Sequence, residues 1–416
     1  MQQTQNESGF TGLGLSAELL SGLNRNGFRT PTPIQAQAVP VAVSGRDLFG
    51  IAQTGTGKSL AFLLPLLHRL QNGEIRQALV LAPTRELALQ IEEEARKFTH
   101  SLGYRTAVLI GGASMINQVR AIKSHPNLII ATPGRLLDHL QSRSVKLGWI
   151  DAVVLDEADR MLDMGFLPAI TRILEQVPAQ RQTMLFSATM PKEIEDLAHR
   201  FLRSPERIEV SRPGTAAQLV RQELISIPHE EKPNMLGLLL KDHPETVLVF
   251  ARTRHGARKL AKIVRSMGHS AAEIHSDRTM AQRKEALDGF KRGQYRVLVA
   301  TDIASRGIDV KNISLVVNYD LPDNPEDYVH RIGRTGRAGE EGVAITLATP
   351  DQAKDVRAIE KILKVAIPRR GGHADREERP LPPHQSRVSH QPKRRPFRPG
   401  TQRGPKSFQR KKTARA

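Results

Sequence analysis

The chain of 416 residues contains no cysteine. Disulfides and thiolate-held metals are thereby excluded, and a reducing compartment is the expected setting. Aromatic residues are scarce at 4%, although a hydrophobic content of 39% is enough to build real cores. Long apolar runs are missing as well. The most apolar segment, Leu60 to Leu67, is eight residues long and includes Pro65, far short of the roughly 20 residues a membrane-crossing helix needs. The N-terminus, "MQQTQNESGF", lacks the apolar stretch of a secretory signal. Together these absences predict a soluble, cytoplasmic protein with no membrane partner, and the length predicts two or three domains.

What the chain has in excess is positive charge, formally +19, and it is unevenly placed. From Arg369 to the end, 15 lysines and arginines face three acids, which accounts for +12 of the total. Seven prolines fall in the same 48 residues, with almost nothing apolar to bury. Residues 369–416 are therefore expected to be a disordered basic tail whose partner is a polyanion, most simply nucleic acid. A solubilising extension or a targeting address is the alternative.

Short β-branched runs recur with helical segments between them. One series is Ala78–Ala82, Leu128–Ala131, Ala152–Leu155 and Thr183–Phe186; a second is Thr246–Phe250, Arg296–Ala300, Leu315–Asn318 and Val343–Leu347. Most are continuously apolar, as strands buried on both faces of a parallel sheet should be. In "TRELALQIEEEARKF", Leu87, Ile91, Ala95 and Phe98 fall on one helical face. The alternation predicts α/β architecture. Between the series lies the small, polar "SRPGTAAQ", residues 211–218, which reads as a linker. The expected organisation is one domain over 1–210, a second over 219–368, and a cleft between them where ligands sit.

"AQTGTGKS", Ala52 to Ser59, follows the apolar segment Leu48–Ile51 and precedes another apolar run. Strand, glycine-rich loop and helix is the context a phosphate-binding loop requires: Ala52, Gln53, Thr54, Gly55, Thr56 and Gly57 turn backbone N–H groups toward phosphate oxygens at a helix N-terminus. Lys58 would reach the terminal phosphates and Ser59 would ligate Mg²⁺. The usual first glycine of such loops is Ala52 here. In "VVLDEADRML", Asp156, Glu157 and Asp159 crowd three carboxylates into four positions directly after a hydrophobic strand. Asp156 is placed to hold Mg²⁺ opposite the loop, and Glu157 to orient or deprotonate an attacking water; an acidic turn capping the next helix is the alternative. The second domain supplies the opposite sign in "HRIGRTGRAG", where Arg331, Arg334 and Arg337 stand three apart. Arginines so spaced can line one surface and project into the cleft, where γ-phosphate charge develops. Closure of the cleft would then be needed for hydrolysis.

These motifs, in this order, resemble those of the DEAD-box ATP-dependent RNA helicases, in appearance nearest to the compact bacterial RhlE-type members, over Ser8 to Pro368. The resemblance implies two tandem RecA-like parallel-sheet domains, with ATP and Mg²⁺ as cofactors and RNA as partner. "GFRTPTPIQ" looks like the Q motif, so Phe28 and Gln35 would meet adenine and Phe10 would stack on it. "PTRELA", "GG" and "TPGR" resemble the first domain's RNA-contact motifs, through Arg85, Gly112, Thr132 and Arg135; Thr253, Arg283 and Thr301 match contacts in the second. Asp309 matches the residue that binds the ATP ribose. Asp159, "SAT" at Ser187 to Thr189, and His330 match the link between hydrolysis and unwinding. One departure is Met280, where the family usually has a glutamine; Gln282 stands two positions further on. The implied activity is local, sequence-independent separation of short RNA duplexes, with ribosomal or RNA-decay proteins as candidate partners. An ATP-dependent RNA clamp with little unwinding and a DNA translocase are the competing functions.

Overall fold

The structure is a computed structural model, and it describes residues 9–52, 55–210, 220–302, 313–336 and 342–370. Two sheets organise it. The first contains β1 (Leu48–Ile51), β2 (Gln77–Leu81), β3 (Thr106–Leu109), β4 (Leu128–Ala131), β5 (Ile150–Leu155), β6 (Gln182–Ser187) and β7 (Glu206–Glu209), in the order β3-β4-β2-β5-β6-β1-β7. The second contains β8 (Val220–Ser226), β9 (Val247–Phe250), β10 (Ala271–Ile274), β11 (Val297–Ala300), β12 (Leu315–Asn318) and β13 (Gly342–Ala348), in the order β10-β11-β9-β12-β13-β8. Every pairing between these strands is parallel.

Helices cover both faces of each sheet, as parallel strands require. Around the first sheet run α1 (Ala17–Arg25), α2 (Pro33–Val43), α3 (Lys58–Gln71), α4 (Arg85–Leu102), α5 (Met115–Lys123), α6 (Pro133–Gln141), α7 (Ala158–Asp163), α8 (Leu167–Leu174) and α9 (Lys192–Phe201). Around the second run α10 (Lys232–Asp242), α11 (Arg254–Ser266), α12 (Met280–Lys291), α13 (Pro325–Ile332) and α14 (Ala353–Leu363). The face of α4 expected to be apolar is buried at Leu87, Ile91, Ala95 and Phe98. Alternate residues of each strand feed two apolar layers: Val80 and Phe186 join one side of the first sheet, Leu79 and Leu185 the other. With few aromatics, contacts such as Phe62 on Phe186, 5.6 Å between ring centres, are exceptions in aliphatic cores.

The eight predicted strands and the segment before the phosphate loop are all strands, with ends shifted by one or two residues. The four not anticipated, β3, β7, β8 and β10, are the four sheet edges. The backbone also pairs slightly past the predicted tail boundary. Leu224 donates its N–H to the Pro368 carbonyl at 2.8 Å, and Arg370 donates to the Leu224 carbonyl at 2.9 Å, so the chain covers the open edge of β8. The linker at 211–218, and the tail from 371, lie outside the described residues. Among the described residues no helix is long and apolar enough to cross a membrane.

Because all strands of a sheet point one way, the loops that follow them emerge along one edge. In the first sheet that edge carries Ala52, Gly55–Gly57, Arg85, Thr132–Arg135, Asp156–Asp159 and Ser187–Thr189; in the second it carries Thr253, Arg283 and Thr301.

Candidate active site

At the end of β1, Ala52 donates its N–H to the Ser187 carbonyl at 2.9 Å, and the chain then leaves the sheet. Gln53 and Thr54 lie outside the described residues. Gly55 is exposed, and Thr56 and Gly57 are half-buried. Gly57 caps α3 in the left-handed region, φ +91°, which only glycine adopts without strain. A β-carbon there would also collide with the Gln35 amide and the Thr32 hydroxyl. That close approach has a purpose: Gln35 Nε2 donates to the Gly57 carbonyl at 3.0 Å, while Gln35 Oε1 accepts from the Thr32 N–H at 2.9 Å. The amide expected to meet adenine thus straps the segment before α2 to the phosphate loop, leaving one N–H for another partner. Lys58, 5% exposed, donates from Nζ to the Ala52 carbonyl at 3.0 Å, and Ser59 is half-buried beside it.

The two aromatic residues assigned to the base lie in different surroundings. Phe10 sits in a short 3-10 turn, Gly9–Leu13, and is 5% exposed within the first domain's core. It is a packing residue in this conformation and presents no open face for stacking. Phe28 is half-buried, with the Lys97 ammonium 5.5 Å over its ring.

The three clustered carboxylates are buried, and their charges are answered in three different ways. Glu157 takes φ +52°, a left-handed conformation uncommon for a residue with a β-carbon, and caps α7. The Asp156 N–H still belongs to the sheet, donating to the Leu81 carbonyl at 3.0 Å. Asp156 Oδ1 is buried without a hydrogen-bond partner. Burial pushes the Asp156 carboxyl up to about 7, with Lys58 opposing and Glu157 adding to the rise. Glu157 moves the other way. Burial alone would raise it, but Arg160, Lys58 and Arg334 hold it below the ordinary carboxylate range. Arg160, 3% exposed, pairs with Glu157 at 2.5 Å. Sequence reasoning missed this residue, although the acid-to-base spacing of three within "EADR" is a recognised helical pairing signal. Asp159 bonds to the "SAT" turn: its Oδ2 accepts from the Ala188 N–H at 3.0 Å, the Thr189 N–H at 2.8 Å and the Thr189 hydroxyl at 2.9 Å. Its own N–H donates to Ser187 Oγ at 3.2 Å.

The orphaned oxygen of Asp156 is what a magnesium site needs. Among the described residues no group of three or more His, Cys, Asp or Glu side chains could chelate a metal. A single carboxylate suits Mg²⁺, which is held by one or two protein oxygens and completes its shell with phosphate and water. Asp156, with Ser59 across the loop, fits that donor set.

From the second domain, His330 on α13 and Arg334 just beyond its end come against this turn. Burial pushes His330 toward its neutral form, while Asp159 and Glu157 oppose and Arg160 and Arg334 reinforce the shift. Arg334 is 3% exposed, donates from Nε to the His330 carbonyl at 3.2 Å, and bears electrostatically on Glu157. Arg331 corrects the expectation of three arginines on one cleft surface. It is 1% exposed and turned into its own domain, where it forks onto both Asp302 oxygens at 2.6 Å, bonds the Asp320 carbonyl at 2.6 Å and lies 4.9 Å over Phe250. The helix ends at Ile332, so the three-residue spacing does not continue one face. Arg337 and Asp309 lie outside the described residues.

A separate cavity of about 440 Å³ is lined by Thr84, Arg85, Gly111, Thr132, Arg135 and Arg283 among others. Gly112 takes φ +75°, and the Arg85 guanidinium packs where its β-carbon would lie. Thr84 and Thr253 cap α4 and α11, accepting from the Leu87 and Gly256 N–H groups at 3.2 and 3.0 Å. Thr132 begins α6 with no side-chain cap bond. Arg135 Nε is buried without a hydrogen bond, 3.5 Å from Asp138. Thr301 is 8% exposed at the end of β11 and does not line this cavity. Arg283 is held across the domains by Glu86 at 2.8 Å. Burial raises the Glu86 carboxyl, with Arg283 opposing. Gln282 is an N-cap partner: its Oε1 accepts from the Thr279 N–H at 3.0 Å.

Comparison with known proteins agrees with this geometry. A family profile described as "DEAD/DEAH box helicase" matches residues 32–197, and one described as "Helicase conserved C-terminal domain" matches residues 231–339. An ATP-dependent RNA helicase CshA of Listeria monocytogenes is 44% identical over 357 residues, 85% of this chain and 69% of that relative. The CshA helicase of Bacillus subtilis is also 44% identical, over 85% of this chain and 72% of its own length. Among solved structures, Mss116 bound to single-stranded RNA and UDP-BeF has a TM-score of 0.80 at 29% identity, over 88% of this chain and 80% of that one. Dbp5 of S. cerevisiae bound to RNA and ADP BeF3 scores 0.78 at 31% identity, over 87% and 95%. A DEAD-box protein from Methanococcus jannaschii is more similar in sequence, 35%, yet scores 0.54 over 88% of this chain. The chain belongs to the DEAD-box ATP-dependent RNA helicases, RNA-stimulated ATPases built from two RecA-like domains.

Proposed function

We propose that ATP is hydrolysed at the junction of the two domains, 1–210 and 219–368, while RNA is gripped in the cavity beside it. The observation that carries this is the meeting at one acidic turn of Lys58 from the phosphate loop, the "SAT" turn bonded to Asp159, and Arg334 from the second domain. Lys58 would neutralise the terminal phosphates once they displace the Ala52 carbonyl. Glu157, kept ionised by its cationic neighbours, would orient and deprotonate the attacking water. Arg334, with Arg337, would answer the charge that develops on the γ-phosphate. Gln35 and Phe28 would meet the base and Asp309 the ribose. Magnesium held by Asp156 and Ser59 would offset phosphate charge when bound.

Coupling runs through Asp159. Its three bonds to Ala188 and Thr189 tie the catalytic turn to the segment after β6, and His330 stands on the same turn from the other domain. The cavity supports backbone recognition: Arg85, Arg135 and Arg283 offer guanidinium groups suited to phosphates, and Gly112 adjoins the lining residue Gly111. RNA recognition would then be indifferent to sequence, with Thr253 and Thr301 extending it onto the second domain. The linker at 211–218 would let the domains part, and the basic tail would tether structured RNA and raise its local concentration. Placement with the RhlE-type members rests on the motif spelling; the relatives compared are CshA proteins. A cytoplasmic setting and ribosomal or RNA-decay partners complete the proposal.

Steady-state ATP hydrolysis with no nucleic acid, with single-stranded RNA and with DNA of the same sequence tests it. Strong stimulation by RNA alone is expected; equal stimulation by DNA would replace it with a translocase.

A further inference from the structure

The one departure from the family's pattern in the RNA-contact set is Met280, and the structure gives that departure a role. The segment "RTMAQR" is a helix start: Thr279 is the N-cap, Met280 the first residue of α12, and Gln282 completes a capping box with Thr279. Gln282 is therefore occupied locally and does not replace the missing glutamine. Met280 is half-buried and packs against the hydrophobic core of the first domain, a cluster whose buried members all lie between Phe10 and Ile208. One turn along the same helix, Arg283 reaches Glu86 in the first turn of α4, and both side chains are about nine-tenths buried. The start of α12 thus docks on the first domain through one apolar contact and one ion pair, side by side.

We propose that Met280 is a positioning residue that lets the two domains of this enzyme close with less help from RNA than a glutamine at this site would allow. This rests on the helicase reading above. A glutamine amide there would face the apolar surface that Met280 covers, and setting a polar group against that surface without a hydrogen bond in return is penalised. A thioether has no such requirement. It is unbranched and adaptable, gains from contact with an apolar surface, and makes that contact whether or not RNA is bound. Arg283 keeps its Nε buried without a hydrogen bond, so a donor remains for a phosphate while the ion pair holds. An apolar contact between the domains that forms without RNA shifts the open–closed equilibrium toward closure in the absence of RNA. It also lengthens the time RNA stays held, the behaviour of a clamp.

The test uses the full chain and the variants Met280→Gln and Met280→Leu, with a single-stranded uridine oligonucleotide as the RNA. Two quantities are measured: RNA-free against RNA-saturated ATP turnover, and the lifetime of the RNA complex with a non-hydrolysable ATP analogue. Met280→Gln should lower RNA-free turnover and shorten the lifetime by about 3- to 10-fold, the range expected when roughly one or two buried methylene equivalents are lost. RNA-saturated turnover should stay within about twofold, a change below what loss of a catalytic group produces. Met280→Leu should keep the parent behaviour. Unchanged RNA-free turnover and lifetime in Met280→Gln would overturn the proposal. So would an equal loss of every activity together with a lower unfolding temperature, which is the mark of a merely structural residue. Failure of the helicase reading looks different: the parent enzyme itself would show no stimulation by RNA.

Discussion

The acidic turn after β5 and the arginine segment at the end of α13 are both short, charged and buried, yet their charges are answered differently. Arg331 finds its partners in its own domain: Asp302, Asn318 and the Asp320 carbonyl. Arg334, three residues on, donates to the His330 carbonyl in its own domain and bears on Glu157 in the other. In the acidic turn, Asp159 is fully engaged by the "SAT" turn and Glu157 by Arg160, whereas Asp156 keeps an oxygen without a partner. Buried charge must be compensated. Where compensation is local and complete, the group supports the fold; where it comes from another domain or is missing, the group waits for a ligand. Burial alone does not distinguish the two, since Arg331 and Arg334 are 1% and 3% exposed.

The comparison is broken most directly by substituting the two arginines. Arg334→Ala should lower the ATP turnover number by about 10³-fold or more, the effect of removing a charge that answers the transition state, while nucleotide binding and the unfolding temperature stay near the parent's. Turnover under saturating RNA, with a fluorescent nucleotide titration alongside, checks both halves. Arg331→Ala should instead act on stability. It removes both Arg331 contacts to Asp302 and empties the place over Phe250, at a cost of about 3–5 kcal/mol for a broken buried pair; denaturant unfolding reads this, and an unchanged midpoint would refute the structural role.

The acidic turn is sharpened by pH. The Asp156 carboxyl is raised to about 7, so the folded protein holds its proton well above the ordinary carboxylate range. A cation requires the carboxylate, so Mg²⁺-dependent nucleotide affinity should fall as pH drops below about 7, by up to about tenfold per unit, and level off above it. The ligand-free protein should lose stability across the same window as pH rises from the unfolded-state pKa toward 7, because the native state binds the extra proton. Asp156→Asn should flatten the pH dependence of magnesium binding, and a parent profile flat from pH 5 to 8 would contradict the assignment. Glu157, held low, should contribute nothing to this window; Glu157→Gln should keep nucleotide and RNA binding while abolishing turnover.

How much of this was readable in advance depended on burial. Strands such as Leu128–Ala131 and Leu315–Asn318 are sealed on both faces and appear in the sequence as unbroken apolar runs. The edge strands β3, "TAVL", and β7, "ERIE", are covered on one face and carry polar residues, so no such run announces them. The fourth edge, β10, is buried throughout but spells "AAEI", with Glu273 paired to Arg265 and Arg278, a solution that periodicity cannot show. Phe10 illustrates the same limit. A lone aromatic near a nucleotide motif suits stacking or packing equally well, and only the turn Gly9–Leu13 decides that it packs.

By itself, the sequence determined the class of chemistry. A glycine-rich loop ending in Lys58, carboxylates after a buried strand, and arginines in a second α/β unit leave little but nucleotide hydrolysis coupled to two domains, because phosphate binding needs those groups at those element boundaries. Tertiary structure decided which of the like-charged neighbours does what. It turned Arg331 inward and Arg334 toward Glu157, gave Glu157 its buried Arg160, and set Met280 against the other domain's core. The physical reason is that spacing along a chain fixes which residues can share a surface, whereas the compensation of a buried charge depends on groups that are far away in sequence.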